Sequence, residues 1–106
     1  MKLGLILETK DPEKAWNAFR FAIASRKAGH ETKIFLLGEA VECESLRHEN
    51  YDVAGQLGVF IKEGGKILAC GTCLKSRQLG GTEACPISNM NDCVKMIEWA
   101  DKALTF

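Results

Sequence analysis

The sequence has no excess of charge of either sign, since 14 lysine and arginine residues are balanced by 14 aspartate and glutamate residues. Proteins that bind DNA or RNA usually carry a basic face that contacts the phosphates. No run of basic residues stands out along this chain. We therefore predict that nucleic acid is not a partner of the protein.

The sequence also lacks a long apolar run. Its first apolar stretch, Leu3–Leu7, is preceded only by Met1 and Lys2. A membrane span needs about 20 apolar residues, and a signal peptide has an apolar region of about 7–15 residues. We therefore predict a protein that has no membrane partner and that works in the cytoplasm.

Nucleotide-binding and acid–base motifs are missing as well. The glycine pairs at 64–65 and 80–81 form neither a G-x-G-x-x-G nor a P-loop pattern. The two histidines, His30 and His48, cannot be combined with a nucleophile and an acid into a known catalytic arrangement, and we expect both at the surface. We predict no cofactor for this chain.

The residues that are present suit one folded domain. Apolar residues make up 46% of the 106 positions, which is enough for a core of ordinary size. Short apolar runs alternate with helical patterns, and no linker or repeat divides the chain. We predict a single domain over residues 1–106 with an α/β fold, in which helices cover both faces of one sheet. The predicted strands are Leu3–Leu7, Thr32–Leu37, Lys66–Ala69 and Ala103–Phe106, with a short edge segment at Glu83–Ser88.

Helix signals lie between these strands. Asp11 is expected to cap the first helix, Pro12 to be its first residue, and Gly29 to end it in a left-handed conformation. A short helix is predicted over Leu74–Leu79. A last helix is predicted to begin after Asn89 or Asn91. Its predicted inner face consists of Met90, Cys93 or Val94, Ile97 and Ala100.

The stretch Lys66–Arg77 carries the most informative pattern, because Cys70 and Cys73 follow a short buried strand and precede a helix. Ligand sites of parallel α/β sheets lie beyond the carboxyl ends of the strands. Backbone N–H groups and the dipole at a helix start stabilise a thiolate, which is the reactive form of cysteine. We predict that Cys70 is exposed to substrate as a sulfur nucleophile, and that Cys73 resolves a persulfide or mixed disulfide on it.

A second segment is expected at the same edge of the sheet. Gly38–Glu42 directly follows the second strand, so it should border the same site. Backbone N–H groups around Gly71–Leu74 should stabilise the Cys70 thiolate. The predicted substrate-binding residues are Gly38, Glu39, Ala40, Val41, Gly71 and Thr72.

Other interpretations of the five cysteines remain open. An odd number of cysteines argues against a secreted disulfide framework. A thioredoxin-like C-x-x-C is a poor match, because the motif follows the third predicted strand. Cys70, Cys73 and Cys85, with Cys93 as a further candidate, could hold zinc or an iron–sulfur cluster. Cys93 is expected to be buried, whereas Cys43 and Cys85 are as consistent with burial as with exposure.

Four segments, taken in order, resemble the DsrE/DsrF-like family of small sulfurtransferases and sulfur carriers. The likeness extends over nearly the whole chain. The segments are Leu3–Leu7, Ile34–Glu42, Gly65–Arg77 and Ala100–Phe106.

The resemblance implies a three-layer α/β/α fold with a five-stranded, mainly parallel sheet, assembled as a homotrimer or homohexamer. It implies that Cys70 accepts persulfide sulfur from a donor protein and passes it to an acceptor protein. Cys73 is not part of the usual sulfur-relay pattern. The alternative is a non-catalytic oligomeric binding module whose cysteines are structural or bind zinc or an iron–sulfur cluster.

Overall fold

The computed structural model describes residues 1–106, which form an α/β protein with one five-stranded sheet. A 3₁₀ segment follows the second strand, and four α-helices connect the others. The elements in chain order are β1 (Lys2–Leu7), α1 (Pro12–Lys27), β2 (Glu31–Leu36), the 3₁₀ segment (Gly38–Ser45), α2 (Val53–Lys62), β3 (Lys66–Cys70), α3 (Gly71–Ser76), β4 (Ile87–Ser88), α4 (Met90–Trp99) and β5 (Lys102–Thr105).

The strand order is β4-β3-β2-β1-β5, and every neighbouring pair is parallel. The predicted α/β class and five-stranded parallel sheet are confirmed. Right-handed crossovers place α1 and α2 on one face of the sheet, whereas α4, which joins the two edge strands, lies on the other face. Gly4 of β1 makes room for α4, since a Cβ there would stand 3.3 Å from the side chain of Ala100. The layers are therefore α/β/α.

Local sequence signals define α1 as predicted. The Asp11 carboxylate accepts a hydrogen bond from the backbone N–H of Lys14 at 3.0 Å, and Pro12 begins the helix. Gly29 follows the helix with a φ of +91°, a conformation that glycine adopts without strain. One side of the helix is buried against the sheet, through Ala15, Ala18, Phe19, Ala22 and Ile23.

Two predictions about the second half of the chain are wrong. The short helix begins at Gly71 and ends at Ser76, because Gln78 has a φ of +55° and cannot continue it to Leu79. The inner face of α4 consists of Cys93 and Met96, whereas Met90, Val94 and Ile97 are exposed. Asn89 caps α4, and its side chain accepts a hydrogen bond from the backbone N–H of Asp92.

No helix of the protein is both long enough and apolar enough to span a bilayer.

Candidate functional site

The thiol motif lies at the carboxyl edge of the sheet, where β3 passes directly into α3. Cys70 ends β3 and caps α3 with an extended backbone, and Cys73 lies in the first turn of the helix. Gly71 allows this tight connection, because a Cβ at this residue would stand 2.9 Å from the carbonyl oxygen of Ser88 in β4. The fold therefore brings two thiols together at the edge that the sequence predicted.

Cys70 is buried, with only 4% of its surface exposed, so the prediction of an exposed side chain is wrong. Its strand is covered on the edge side by β4, where Ser88 pairs with Cys70. Cys93 of α4 lies close enough for a charge on Cys70 to raise the pKa of the Cys93 thiol, after the larger effect of burial. Neither Cys70 nor Cys73 lines a surface cavity.

Cys73 is the one cysteine of the five that is not buried. Its Sγ accepts a hydrogen bond from the backbone N–H of Gly38 at 3.1 Å. Burial of the sulfur and the nearby Cys70 thiol raise the pKa of the Cys73 thiol, and these effects outweigh the Gly38 N–H and the charge of Arg77. Cys73 therefore holds its proton beside the sulfur of Cys70.

The predicted substrate-binding residues are placed in different surroundings. Gly38 contacts Cys73 through its N–H, as described above. The Glu39 carboxylate accepts a hydrogen bond from the backbone N–H of Lys10 at 2.8 Å. Ala40 and Val41 are buried in the core, Gly71 is half-buried, and Thr72 is exposed.

An ion-pair network fastens α3 to the 3₁₀ segment. The Glu42 carboxylate lies 3.2 Å from the Lys10 ammonium and 3.0 Å from Nε of Arg77. Hydrogen bonds from Lys10 and Arg77 lower the pKa of Glu42. Arg77 also donates through Nη1 to the carbonyl oxygen of Cys73 at 3.1 Å. Glu42 therefore connects two loops and holds the end of the thiol-bearing helix.

The sequence did not reveal the contact between Arg77 and Glu42. These two residues are 35 positions apart in the chain, so no local pattern pairs them. The signal that could have found the pair is that both residues follow the carboxyl ends of neighbouring parallel strands, β2 and β3.

The remaining thiols are enclosed. Burial, followed by the charges of Glu39 and Glu42, raises the pKa of Cys43 to about 12. Burial, followed by the charge of Glu44, raises the pKa of Cys85 to about 12 as well. No three histidine, cysteine, aspartate or glutamate side chains are arranged to hold a metal ion.

The sequence of the chain is similar to a known protein family and to two proteins of known sequence. The model of the DsrE/DsrF-like family matches residues 1–106. An uncharacterized protein of Methanopyrus kandleri is 30% identical over 100 residues, which cover 89% of this chain and 83% of the relative. An uncharacterized protein of Methanocaldococcus jannaschii is 30% identical over 115 residues, which cover all of both chains.

A solved structure supports the fold. A conserved protein of unknown function from Bacteroides thetaiotaomicron superposes with a TM-score of 0.79 at 18% identity, over 99% of this chain and 94% of the other. This likeness concerns the fold alone. Since the family model matches the whole chain, the protein belongs to the DsrE/DsrF-like family.

Proposed function

We propose that the protein is a sulfur carrier that accepts persulfide sulfur on Cys70 and uses Cys73 as the proton-holding partner. The observation that carries the proposal is the position of both cysteines at the junction of β3 and α3, at the carboxyl edge of the sheet. Cys73 is half-buried, and Cys70 is buried. Membership of the DsrE/DsrF-like family, which suggests a role in sulfur relay, supports the same reading.

The proposed transfer has two balanced steps. The thiolate of Cys70 attacks the outer sulfur of a donor persulfide, so that an S–S bond forms on Cys70 while the donor S–S bond breaks and the donor leaves as a thiolate. Cys73 gives its proton to the leaving thiolate and takes one back from water before the next cycle. An acceptor thiolate then attacks the outer sulfur on Cys70, receives it as a persulfide, and returns Cys70 to a thiolate.

Burial of Cys70 sets a condition on this chemistry. The Cys70 residue is only 4% exposed, so a protein persulfide cannot reach its sulfur unless α3 and the elements that cover Cys70 shift. The helix has only six residues, and it is held at the 3₁₀ segment by the Gly38–Cys73 hydrogen bond and the Glu42–Arg77 ion pair. We propose that docking of a donor protein loosens these contacts.

The experiment is incubation with a persulfide donor followed by mass spectrometry of the intact protein. The wild type should gain the mass of one sulfur atom and lose it again when an acceptor thiol is added. Cys70→Ser should gain nothing, whereas Cys73→Ser should load more slowly. The matched control is Cys85→Ser, which should load like the wild type. An adduct that persists in Cys70→Ser would contradict the assignment.

We further propose that the protein works in the cytoplasm with sulfur donor and acceptor proteins, and that it assembles as a homotrimer or homohexamer. Three exposed side chains of α4, those of Met90, Val94 and Ile97, recur at helical spacing and form one apolar stripe. Sedimentation analysis tests the assembly. Val94→Glu should release monomers, whereas Lys95→Ala on the neighbouring surface should leave the assembly intact. A monomeric wild type would refute it.

The second candidate is a non-catalytic oligomeric binding module whose cysteines are structural or bind zinc or an iron–sulfur cluster. The burial of four of the five cysteines is the observation that favours a structural role. Metal analysis of protein purified without oxygen separates the candidates. Stoichiometric zinc or iron that is lost in Cys70→Ala would support the metal-binding version, and a metal-free protein that loads sulfur would support the carrier.

A further inference from the structure

A polar cavity lies at the amino edge of the sheet, opposite the thiols. Its volume is about 270 Å³, and it is open to solvent near the start of β2 and β3. Three cations contribute to its wall, and Glu31 is the only acid there. The lining residues are Arg26, Glu31, Thr32, Lys33, Gly64, Lys66 and Trp99.

Two of the cations are forced together by the sheet. Lys33 of β2 and Lys66 of β3 are directly paired in the parallel register, so their side chains leave the same face of neighbouring strands. Neighbouring strands are about 4.8 Å apart, and like charges placed opposite each other are destabilising. None of the three ion pairs in the protein includes either lysine. Glu31 lines the same cavity but lies outside ion-pair distance of both lysines.

The third cation is fixed in place. Nε and Nη1 of Arg26 donate to the carbonyl oxygens of Glu63 and His30, at 2.9 and 3.0 Å. Its Nη2 lies over Gly64, 2.7 Å from where a Cβ of that residue would stand. Glycine therefore gives the guanidinium space in the cavity wall, and the two carbonyl bonds hold its orientation.

An aromatic ring completes the wall. The Lys33 ammonium lies 4.1 Å from the ring centroid of Trp99, which ends α4. This cation–π contact holds a lysine that has no acidic partner. It also places a fluorophore against the cavity. The other tryptophan, Trp16, contacts Tyr51 instead and does not line the cavity.

We propose that this cavity binds a small phosphate-type oxyanion carrying at least two negative charges, such as the phosphate groups of a small metabolite. An oxyanion between the two lysines would relieve their repulsion and accept hydrogen bonds from both ammonium groups and from the guanidinium. The site is separate from the thiol motif and does not depend on sulfur chemistry.

Calorimetric titration with inorganic pyrophosphate at low ionic strength tests the proposal. The wild type should bind one pyrophosphate per chain, with a change in Trp99 fluorescence in a Trp16→Phe background. Lys33→Gln and Lys66→Gln should each weaken binding by about tenfold or more, since each removes a charge-assisted hydrogen bond. Lys95→Gln, a surface lysine on α4 outside the cavity, should bind like the wild type.

The thermal midpoint of the wild type should rise with pyrophosphate, and this rise should be absent in a Lys33→Gln/Lys66→Gln double variant. This second readout also shows whether each variant is folded. Absence of saturable binding to the wild type would overturn the proposal. Equal loss of affinity in Lys95→Gln would overturn it too, because it would show nonspecific attraction to the whole surface.

Discussion

Two pairs of cysteines in this small protein have the same side chains and different surroundings. The site pair, Cys70 and Cys73, lies where β3 meets α3, with one sulfur accessible and a backbone N–H directed at it. The core pair, Cys43 and Cys85, is buried beside acidic residues, and the pKa of each thiol is raised to about 12. Partial exposure and a backbone N–H donor therefore distinguish Cys73 from Cys43 and Cys85, whose burial and acidic neighbours oppose a thiolate.

The largest expected difference between the pairs is in alkylation by iodoacetamide. At pH 8, a thiol whose pKa is about 12 has about a thousandfold less thiolate than an ordinary cysteine. Cys73 should therefore react first in the folded protein, and the core pair should stay unmodified until the chain unfolds. Peptide mass spectrometry over time measures the five rates. Rapid labelling of Cys43 or Cys85 in the native protein would contradict the predicted difference in reactivity between the two pairs.

The less reactive cysteine should matter more for stability when each is replaced by alanine. Cys43 is fully buried, so Cys43→Ala leaves a small cavity and should lower the free energy of unfolding by about 1–2 kcal/mol. Cys73→Ala, at a half-exposed residue, should change it by no more than about 0.5 kcal/mol. Urea denaturation compares the two variants. An equal loss of stability in both would mean that Cys73 is also structural.

The smallest expected effect is on the thermal midpoint, when the Glu42 ion pair that holds α3 is removed. The pKa of Glu42 is lowered in the folded state, so its ion pairs contribute stability above the unfolded pKa, near 4.5, and this contribution is lost as the pH falls through the lowered value. Glu42→Gln should lower the thermal midpoint at pH 7 by no more than about 2 °C, since exposed ion pairs are weak. The difference should vanish at acidic pH.

Glu42→Gln should also make Cys73 react faster with iodoacetamide, because Arg77 then holds α3 less firmly. Glu49→Gln, at an exposed glutamate with no ion pair, is the matched control. A midpoint difference that stays constant between pH 7 and pH 3 would show that the charge of Glu42 is not what fastens the helix.

Local signals in the sequence predict the fold well. The cap at Asp11, the turn at Gly29 and the apolar runs of β1 and β2 each specify their element through neighbouring residues alone. The carboxyl edge of the sheet as the place of the thiols follows from the topology of parallel strands. These features do not require knowledge of distant contacts.

The parts that could not be predicted depend on distant contacts. Apolar residues of α4 recur at helical spacing on two sides of the helix. The side with Met96 packs against Gly4 of β1, which is distant in the sequence and leaves space for the Met96 side chain. Cys70 looks exposed in the sequence because β4 and α4, which cover it, follow later in the chain. Cys43 lies between two glutamates in the sequence, but the 3₁₀ segment directs its side chain into the core.

Mapping the persulfide to a residue in the wild-type protein tests the central claim most directly. The protein is loaded with a persulfide donor, its free thiols are blocked, and the peptides are sequenced by mass spectrometry. We predict that the added sulfur lies on Cys70, with Cys43 and Cys85 unmodified. Sulfur on Cys73, Cys43 or Cys85 instead of Cys70, or no added sulfur on any cysteine, would contradict the account.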